Sequence, residues 1–203
     1  MTRKFLDKVY DYIGKGVAEF YDDWATSYEE EVTENGYVTP GRCASALARF
    51  LKDKDAPILD FGCGTGLSGL ALHAEGFTNM HGFDLSSEML TQAEEKNLYR
   101  TLTKVELDAP LPVAKGDYTA IAAIGVIGPG AAPLDTFDKL VGLLNQGGLM
   151  TFSYNDHALK DRAYEARLNE YVDTATVRLL FRERGPHLPA RNIHSTVYVI
   201  EKL

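Results

Sequence analysis

The stretch that decides the fold is ILDFGCGTG, residues 58–66. A short apolar strand is followed at once by a loop with glycine at positions 62, 64 and 66. Glycine permits a tight turn and lets a ligand approach the backbone closely. In an open α/β sheet, a loop at the carboxyl end of a strand borders the ligand crevice. The stretch therefore predicts an α/β fold with a ligand at this loop; a glycine-rich turn without a ligand is the alternative.

Downstream of this loop, strand-like and helix-like segments alternate. Strands are predicted at 57–61, 80–83, 102–107, 118–126 and 149–154. Helices follow the first, second and fourth of these strands, and one long helix over 156–173 follows the fifth. Helical crossovers make neighbouring strands parallel. The last two predicted strands, 176–182 and 193–201, have only a loop between them and should pair antiparallel. The fold class is therefore a doubly wound, mostly parallel, seven-stranded α/β sheet with an antiparallel last strand.

The segment before the first strand is predicted to be helical. Apolar residues recur at helical spacing over 5–13 and 17–31, and Thr39-Pro40 is typical of a helix start. We expect an N-terminal helical cap over residues 1–38 and a ligand-binding domain over 39–203.

Composition narrows the classes of partner. The 203 residues carry a formal charge of −8, which disfavours phosphate backbones and anionic membranes as partners. No apolar run approaches the ~20 residues of a membrane span, and the first residues do not resemble a secretory signal. The two cysteines form no disulfide framework, and no metal-ligand spacing is found. We expect a cytoplasmic protein that binds neither nucleic acid nor membrane.

The register of the glycine loop bears on the kind of ligand. Residues 64–69, GTGLSG, match the G-x-G-x-x-G fingerprint of NAD(P)-binding oxidoreductases. That register would place Asp60, Gly62 and Cys63 inside the strand, where such residues are unfavourable. If the loop starts at Gly62, Asp60 stands at the crevice edge, where a carboxylate suits a cationic group. The sequence thus favours a cationic, phosphate-free nucleoside, with a dinucleotide as the runner-up.

Two further carboxylates end the next two strands. Asp84 can accept hydrogen bonds from both hydroxyls of a ribose, although an acidic side chain beside a helix start is also explained by the helix dipole. Asp108 and Ala109 can read the edge of an adenine; a solvated loop is the alternative. Leu85 and Met89 are apolar neighbours that could sandwich the base.

These residues carry a family resemblance. Asp60-x-Gly62-x-Gly64-x-Gly66, followed by Asp84 and Asp108, resembles the class I S-adenosylmethionine-dependent methyltransferases, which have a Rossmann-like fold, and the closing antiparallel strands resemble them too. The resemblance covers roughly residues 40–203. The segment YDDWATSYE, residues 21–29, is similar to the small methyltransferase-like proteins of the Williams-Beuren region.

The resemblance implies S-adenosyl-L-methionine as the cofactor. It places the glycine loop against the methionine part, Asp60 near the amino group, Asp84 on the ribose, Ile124 and Gly125 beneath the methyl group, and Tyr28 over the cofactor. The cofactor-binding residues predicted in this way are Tyr28, Asp60, Gly62, Cys63, Gly64, Leu67, Asp84, Leu85, Met89, Asp108, Ala109, Ile124 and Gly125. Cys63 is not expected to act as a nucleophile.

The expected reaction is in-line displacement of a methyl group from a sulfonium by an acceptor atom. Alignment of the reactants then accounts for much of the reduction in the activation barrier. No catalytic residue is assigned, although His157 and Tyr154 are the best-placed bases. Trp24, Tyr37 and Tyr154 are predicted to contact the acceptor. Little chain is left to grip a macromolecule, so we expect a small-molecule acceptor. A cofactor-binding sensor or scaffold without turnover is the alternative.

Overall fold

The computed structural model describes residues 5–9, 16–106 and 109–203. Its centre is one seven-stranded sheet in the order β3-β2-β1-β4-β5-β7-β6. The strands are β1 Ile58–Phe61, β2 Met80–Asp84, β3 Thr101–Lys104, β4 Ala120–Ala123, β5 Leu149–Asn155, β6 Val177–Leu188 and β7 Ile193–Lys202. Strands β1 to β5 are parallel, and β7 is antiparallel to both β5 and β6. The predicted fold class is confirmed.

Six α-helices accompany the sheet in the described part of the chain. They are α1 Val17–Glu34, α2 Thr39–Ala48, α3 Leu67–Ala74, α4 Ser87–Glu95, α5 Asp135–Leu143 and α6 Ala163–Asp173, with short 3₁₀ helices at Phe5–Asp7, Ala158–Lys160 and Pro189–Arg191. Helices α5 and α6 contribute to the hydrophobic core on one face of the sheet. Helices α2 and α3 contribute to the core on the other face. Both faces of β1 and β4 are buried, as expected of central parallel strands.

Two predicted segments differ from the structure because of side-chain hydrogen bonds and bulges. The helix predicted over 156–173 is interrupted: Asn155 Oδ1 accepts from the backbone of residues 157 and 158, and Asp161 Oδ1 accepts from Ala163 N, so a new helix begins there. Conversely, most of the loop predicted to follow residue 182 belongs to β6, which continues to Leu188 with register shifts at Leu179/Phe181 and Pro186/Leu188. Proline is tolerated there because β6 is an edge strand.

Other boundaries are close to the prediction, and some lie outside the described residues. Strand β4 ends at Ala123, earlier than predicted, and Gly125 just beyond it has φ +71°. Of the helix predicted over 5–13, the described part is the 3₁₀ helix Phe5–Asp7, since residues 10–15 are not described. No helix within the described ranges is both long and apolar enough to cross a bilayer.

Candidate functional site

The glycine loop between β1 and α3 is built from left-handed backbone. Gly62 and Gly64 have φ +71° and +53°, values that side-chain-bearing residues rarely adopt. A Cβ at Gly62 would overlap the side chain of Val126, whereas a Cβ at Gly64 would meet no protein atom within 4 Å. The amides of Gly62 and Cys63 both donate to Phe83 O, at 2.7 and 3.0 Å. The loop is therefore held against β2 while Gly64 borders open space.

That space belongs to a cavity of about 660 Å³ at the carboxyl ends of β1, β2 and β4, which we call the strand-end cavity. Apolar side chains form most of its wall, among them Phe61, Phe83, Leu85 and Met89, and Asp84 is its acidic group. A smaller cleft of about 260 Å³, the loop cleft, continues along residues 62–68. Such an apolar cavity with few polar groups is typical of a nucleoside site.

Asp84 ties the glycine loop to the start of α4. Its Oδ2 accepts from Gly64 N at 2.8 Å, and its Oδ1 accepts from Ser86 N at 2.9 Å. Burial raises the pKa of Asp84, while the hydrogen bonds from Ser86 and Gly64 lower it. Each carboxylate oxygen can accept a further hydrogen bond. Asp84 can therefore hold the loop and a ligand hydroxyl at the same time.

Asp60 is completely buried behind the same loop. Its Oδ2 accepts from Ser68 Oγ at 2.6 Å and from Tyr99 OH at 2.7 Å, and its Oδ1 has no partner among the described residues. Burial raises the pKa of Asp60 to about 6, and the nearby charge of Asp84 raises it too. No ion pair within the described ranges joins either aspartate to a lysine or arginine. The site therefore suits a cationic ligand.

Helix α1 covers the strand-end cavity and is attached to α4 by polar contacts. Asp22 accepts from the Ser86 hydroxyl and from Glu88 N, while Gln92 Nε2 donates to Ala25 O at 2.8 Å. Lys96 Nζ joins α1 to the glycine loop, donating to Glu29 Oε1 and to Thr65 O, both at 2.7 Å.

The tip of the β6–β7 hairpin holds the other end of α1. Arg191 donates from Nε to Asn35 Oδ1 at 2.9 Å and from Nη1 to Asp7 Oδ1 at 2.6 Å. Pro189 lies against Gly36 in the turn after α1. The hairpin and the N-terminal segment therefore close over the site together.

Between α1 and this hairpin lies a second cavity of about 600 Å³, which we call the aromatic chamber. Tyr21, Trp24, Tyr28 and Tyr37 contribute rings to its wall. Trp24 is 2% exposed, stacks on Tyr21 at a centroid distance of 5.8 Å and meets Tyr28 edge-on at 4.9 Å. The chamber and the strand-end cavity share four wall residues, which are Tyr21, Tyr28, Gly125 and Ala131. A ligand in one cavity is therefore next to a ligand in the other.

Most of the residues expected to bind a ligand lie at these cavities. Tyr28, Gly62, Gly64, Asp84, Leu85, Met89, Ile124 and Gly125 line the strand-end cavity, Cys63 and Leu67 line the loop cleft, and Trp24 and Tyr37 line the aromatic chamber. The pKa of the Cys63 thiol is raised well above its ordinary value by burial and by Asp60 and Asp84, so it stays protonated.

Other expected residues are not brought to the cavities. Asp60 lines none of the three, because it is buried behind the glycine loop. Tyr154 is fully buried in the core, edge-on to Phe152, Tyr164 and Tyr198, because its position on β5 faces α6. His157 follows β5 and lines none of the three cavities, and Ala109 is exposed. Asp108 lies outside the described residues.

The structure adds wall residues that the sequence did not suggest. Ser153, Asn155 and His187 are polar groups of the aromatic chamber, and Leu188 is an apolar one. Ser153 Oγ accepts from Gly125 N at 3.0 Å and so fixes the turn between the two cavities. No motif marks His187, because its position depends on the bulged pairing of β6 with β7.

Comparison with known proteins agrees with this geometry. The methyltransferase domain family matches residues 35–196. The human methyltransferase-like protein 27 is 36% identical over 134 residues, which are 64% of this chain and 54% of that protein. The 18S rRNA (guanine(1575)-N(7))-methyltransferase of Saccharomyces cerevisiae is 28% identical over 125 residues, which are 55% of this chain and 46% of that protein. The chain thus spans about half the length of these relatives.

Solved structures share the fold. The magnesium protoporphyrin IX methyltransferase of Synechocystis PCC 6803, solved with bound S-adenosylhomocysteine, superposes with a TM-score of 0.69 at 14% identity, covering 92% of this chain and 98% of that one.

Proposed function

The chain belongs to the S-adenosylmethionine-dependent methyltransferases, and on that basis we propose that it methylates a small-molecule acceptor held in the aromatic chamber. The observation that carries the proposal is the contact between two cavities of different character. One is bounded by the glycine loop and the carboxylate of Asp84, and the other by aromatic rings. They meet at Gly125 and Tyr28.

The residues of the strand-end cavity fit the cofactor. S-adenosylmethionine, when bound, supplies a methyl group that its sulfonium makes electrophilic. We infer that Asp84 accepts from ribose hydroxyls, that Leu85 and Met89 flank the base, and that the free Oδ1 of Asp60 accepts from the amino group, directly or through water. Open space beside Gly64 leaves room for the ligand backbone.

The chain's contribution to the transfer is placement and exclusion of water. Tyr28 and Gly125 border both cavities, so they would hold the acceptor atom against the methyl group. Helix α1 covers both ligands and is attached to α4, the glycine loop and the hairpin. Among the described residues, none that lines the chamber is an aspartate, glutamate or lysine, so an acceptor that needs a base would have to use a neutral group or arrive deprotonated.

A small acceptor is supported by the charge of the chain. Nucleic-acid binding relies on Lys and Arg contacts to phosphate, whereas this chain has a formal charge of −8. One relative is named for rRNA methylation; a macromolecular acceptor is therefore an outcome that the experiments must distinguish.

Two matched glycine variants test the cofactor site. Gly64→Ala should weaken the affinity for S-adenosylhomocysteine, measured by calorimetry, at least about 100-fold, because the added methyl group enters the cavity. Gly147→Ala is the control: Gly147 also has positive φ, +81°, and open space at its Cβ, but it lies in the turn before β5. Both variants should lose a similar ~1 kcal/mol of stability from backbone strain. Equal binding in the two variants would mean that the cofactor site is misplaced.

Turnover is tested with labelled S-adenosylmethionine. Methyl transfer to a member of a small-molecule panel supports the proposal. Transfer to ribosomal RNA or protein alone would overturn the small-acceptor part. Saturable cofactor binding without transfer to either kind of acceptor would favour a sensor or scaffold.

A further inference from the structure

His187 is one of the polar residues that line the aromatic chamber. The residue is 6% exposed, and its ring packs edge-on against Tyr37 with centroids 5.1 Å apart. Its Nδ1 lies 2.8 Å from Thr39 Oγ1. No described residue forms a hydrogen bond with Nε2, and His187 lines the chamber. The chemistry of the chamber therefore depends on whether Nε2 carries a proton.

A chain of hydrogen bonds from Arg42 decides this. Arg42 Nη1 donates to Ser195 Oγ at 3.1 Å, and an arginine can only donate. Ser195 Oγ is 2.9 Å from Thr39 Oγ1. Because Ser195 Oγ accepts from Arg42, and Thr39 Oγ1 is its other described partner, this arrangement lets the Ser195 hydroxyl donate to Thr39 and the Thr39 hydroxyl donate to His187 Nδ1. An imidazole that accepts at Nδ1 carries its proton on Nε2.

The ring is neutral at physiological pH. Burial lowers the pKa of His187 to about 4, and the charges of Arg42 and His157 lower it too, while Asp156 raises it. A neutral ring with its proton on Nε2 donates one hydrogen bond toward the chamber. His187 is therefore a hydrogen-bond donor rather than a base.

Two more N–H groups belong to the same wall. Asn155 Oδ1 accepts from His157 N at 3.0 Å and from Ala158 N at 2.9 Å, which fixes the orientation of the amide. Asn155 lines the chamber, and its Nδ2 forms no hydrogen bond within the described residues. Trp24 Nε1 is buried and also without a partner in the described part. A buried donor without a partner, such as Trp24 Nε1, is unfavourable, and a ligand oxygen could satisfy it.

From these contacts we propose that the aromatic chamber binds a flat acceptor molecule through an oxygen hydrogen-bond acceptor, such as a carboxylate, held by His187 Nε2–H and Asn155 Nδ2–H. The tyrosine rings and Trp24 would enclose its apolar body. An ammonium group would meet N–H donors instead of acceptors at these two side chains and should bind more weakly than a carboxylate, although the aromatic rings can attract a cation. This inference rests on the proposed function, since it names the class of acceptor for the same site.

The test uses the full chain saturated with S-adenosylhomocysteine. Trp24 is the only tryptophan in the sequence, so its fluorescence reports directly on the chamber. The probes are benzoate and benzylamine, which have similar size and opposite charge. Benzoate should quench or shift the emission with an affinity at least about tenfold above that of benzylamine. Equal or tighter binding of benzylamine would overturn the inference.

Variants separate the donor from the shape of the ring. His187→Leu should weaken benzoate binding about tenfold, whereas His187→Gln, which keeps an N–H group, should stay within about threefold of the parent. His73→Gln on the exposed surface of α3 is the control and should change nothing. No loss of affinity in His187→Leu would contradict the assignment.

The tautomer has its own readout. Nitrogen-15 NMR of the histidine side chains should show His187 protonated at Nε2, and Thr39→Val should remove that preference. Protonation at Nδ1 in the parent protein would overturn the hydrogen-bond direction. Failure of the proposed function is distinguishable, because it would appear as absent binding of S-adenosylhomocysteine before any probe is added.

Discussion

At the scale of single residues, Asp60 shows how the site departs from what stability alone would favour. A buried carboxylate with one oxygen unpaired and no cation beside it destabilises the folded protein. The groups that face it are Ser68, Tyr99, Cys63 and Asp84, none of which carries positive charge. We interpret this loss of stability as the consequence of a site whose negative charge favours a cationic ligand.

The pH dependence of stability tests this interpretation. The folded-state pKa of Asp60 is raised from 3.8 to about 6, so the folded protein binds this proton more tightly than the unfolded chain. The resulting stabilisation is present below pH ~4 and is lost as the pH rises through ~6. In Asp60→Asn no such loss occurs. The stability of the variant relative to the parent should therefore rise by about 1–3 kcal/mol between pH 4 and 8.

Thermal unfolding of both proteins at several pH values measures this difference. A constant difference across the range would contradict the assignment. If Asp60 meets the amino group as proposed, the same variant should bind S-adenosylhomocysteine more weakly at pH 8, because it lacks that charge.

Residues at strand ends were predictable, and residues placed by long-range register were not. Gly62, Gly64 and Asp84 directly follow or end short strands, so their position at the crevice follows from the parallel topology. His187 reaches the chamber only because β6 is bulged and pairs with β7. Asn155 is the last residue of β5, one residue beyond the predicted end of that strand. Tyr154 was misplaced because its neighbours along the same strand, Ser153 and Asn155, are the ones that line the chamber.

At the scale of elements, α1 covers both cavities and is held in place partly by polar contacts. Lys96 is central among them, since one ammonium group joins Glu29 of α1 to the backbone of the glycine loop. Its side chain is 19% exposed, so these hydrogen bonds are partly shielded from water.

Replacing Lys96 by methionine should loosen this cover. We expect a loss of about 1.5–3 kcal/mol of stability, the range for hydrogen bonds to charged groups, and about a tenfold weaker binding of S-adenosylhomocysteine. Lys139→Met is the control, because Lys139 pairs with Asp135 on the exposed side of α5 and such pairs contribute little. Calorimetry and thermal unfolding measure both effects. Equal behaviour of the two variants would show that Lys96 does not fasten α1.

Element boundaries followed local signals in the sequence. Gly16, Gly36 and the Ser86 cap mark helix ends that the structure has within a few residues, and the alternation of strands and helices gave the sheet. The interrupted helix after β5 and the extended β6 were missed. Both depend on side-chain hydrogen bonds and bulges rather than on hydrophobic periodicity.

At the scale of the whole molecule, the buried apolar residues in the described part of the chain form three clusters. Two flank the sheet, and the third joins the N-terminal segment and α1 to Leu188. This third cluster, called here the lid cluster, contains Trp24 and is smaller than the other two. Small clusters of this kind open at lower free energy than a central sheet.

Urea unfolding should therefore occur in two stages in the ligand-free protein. Trp24 fluorescence should change at lower urea than far-UV circular dichroism, because the fluorescence reports the lid cluster and the dichroism reports the sheet and all helices. Saturating S-adenosylhomocysteine should bring the two transitions together, since the proposed cofactor site lies beneath α1. Coincident transitions in the ligand-free protein would indicate a single cooperative unit.

The hydrogen bonds between the β6–β7 hairpin and the N-terminal part of the chain also bear on synthesis at the ribosome. His187 meets Thr39 across 148 positions, and Arg191 meets Asp7 across 184. At about 5–20 residues per second, α1 waits roughly 10–40 s for the segment that completes its packing. During that interval Phe20 and Trp24 lack Leu188, their partner in the lid cluster. The aromatic face of α1 is thus the part of the nascent chain that most needs protection by a chaperone.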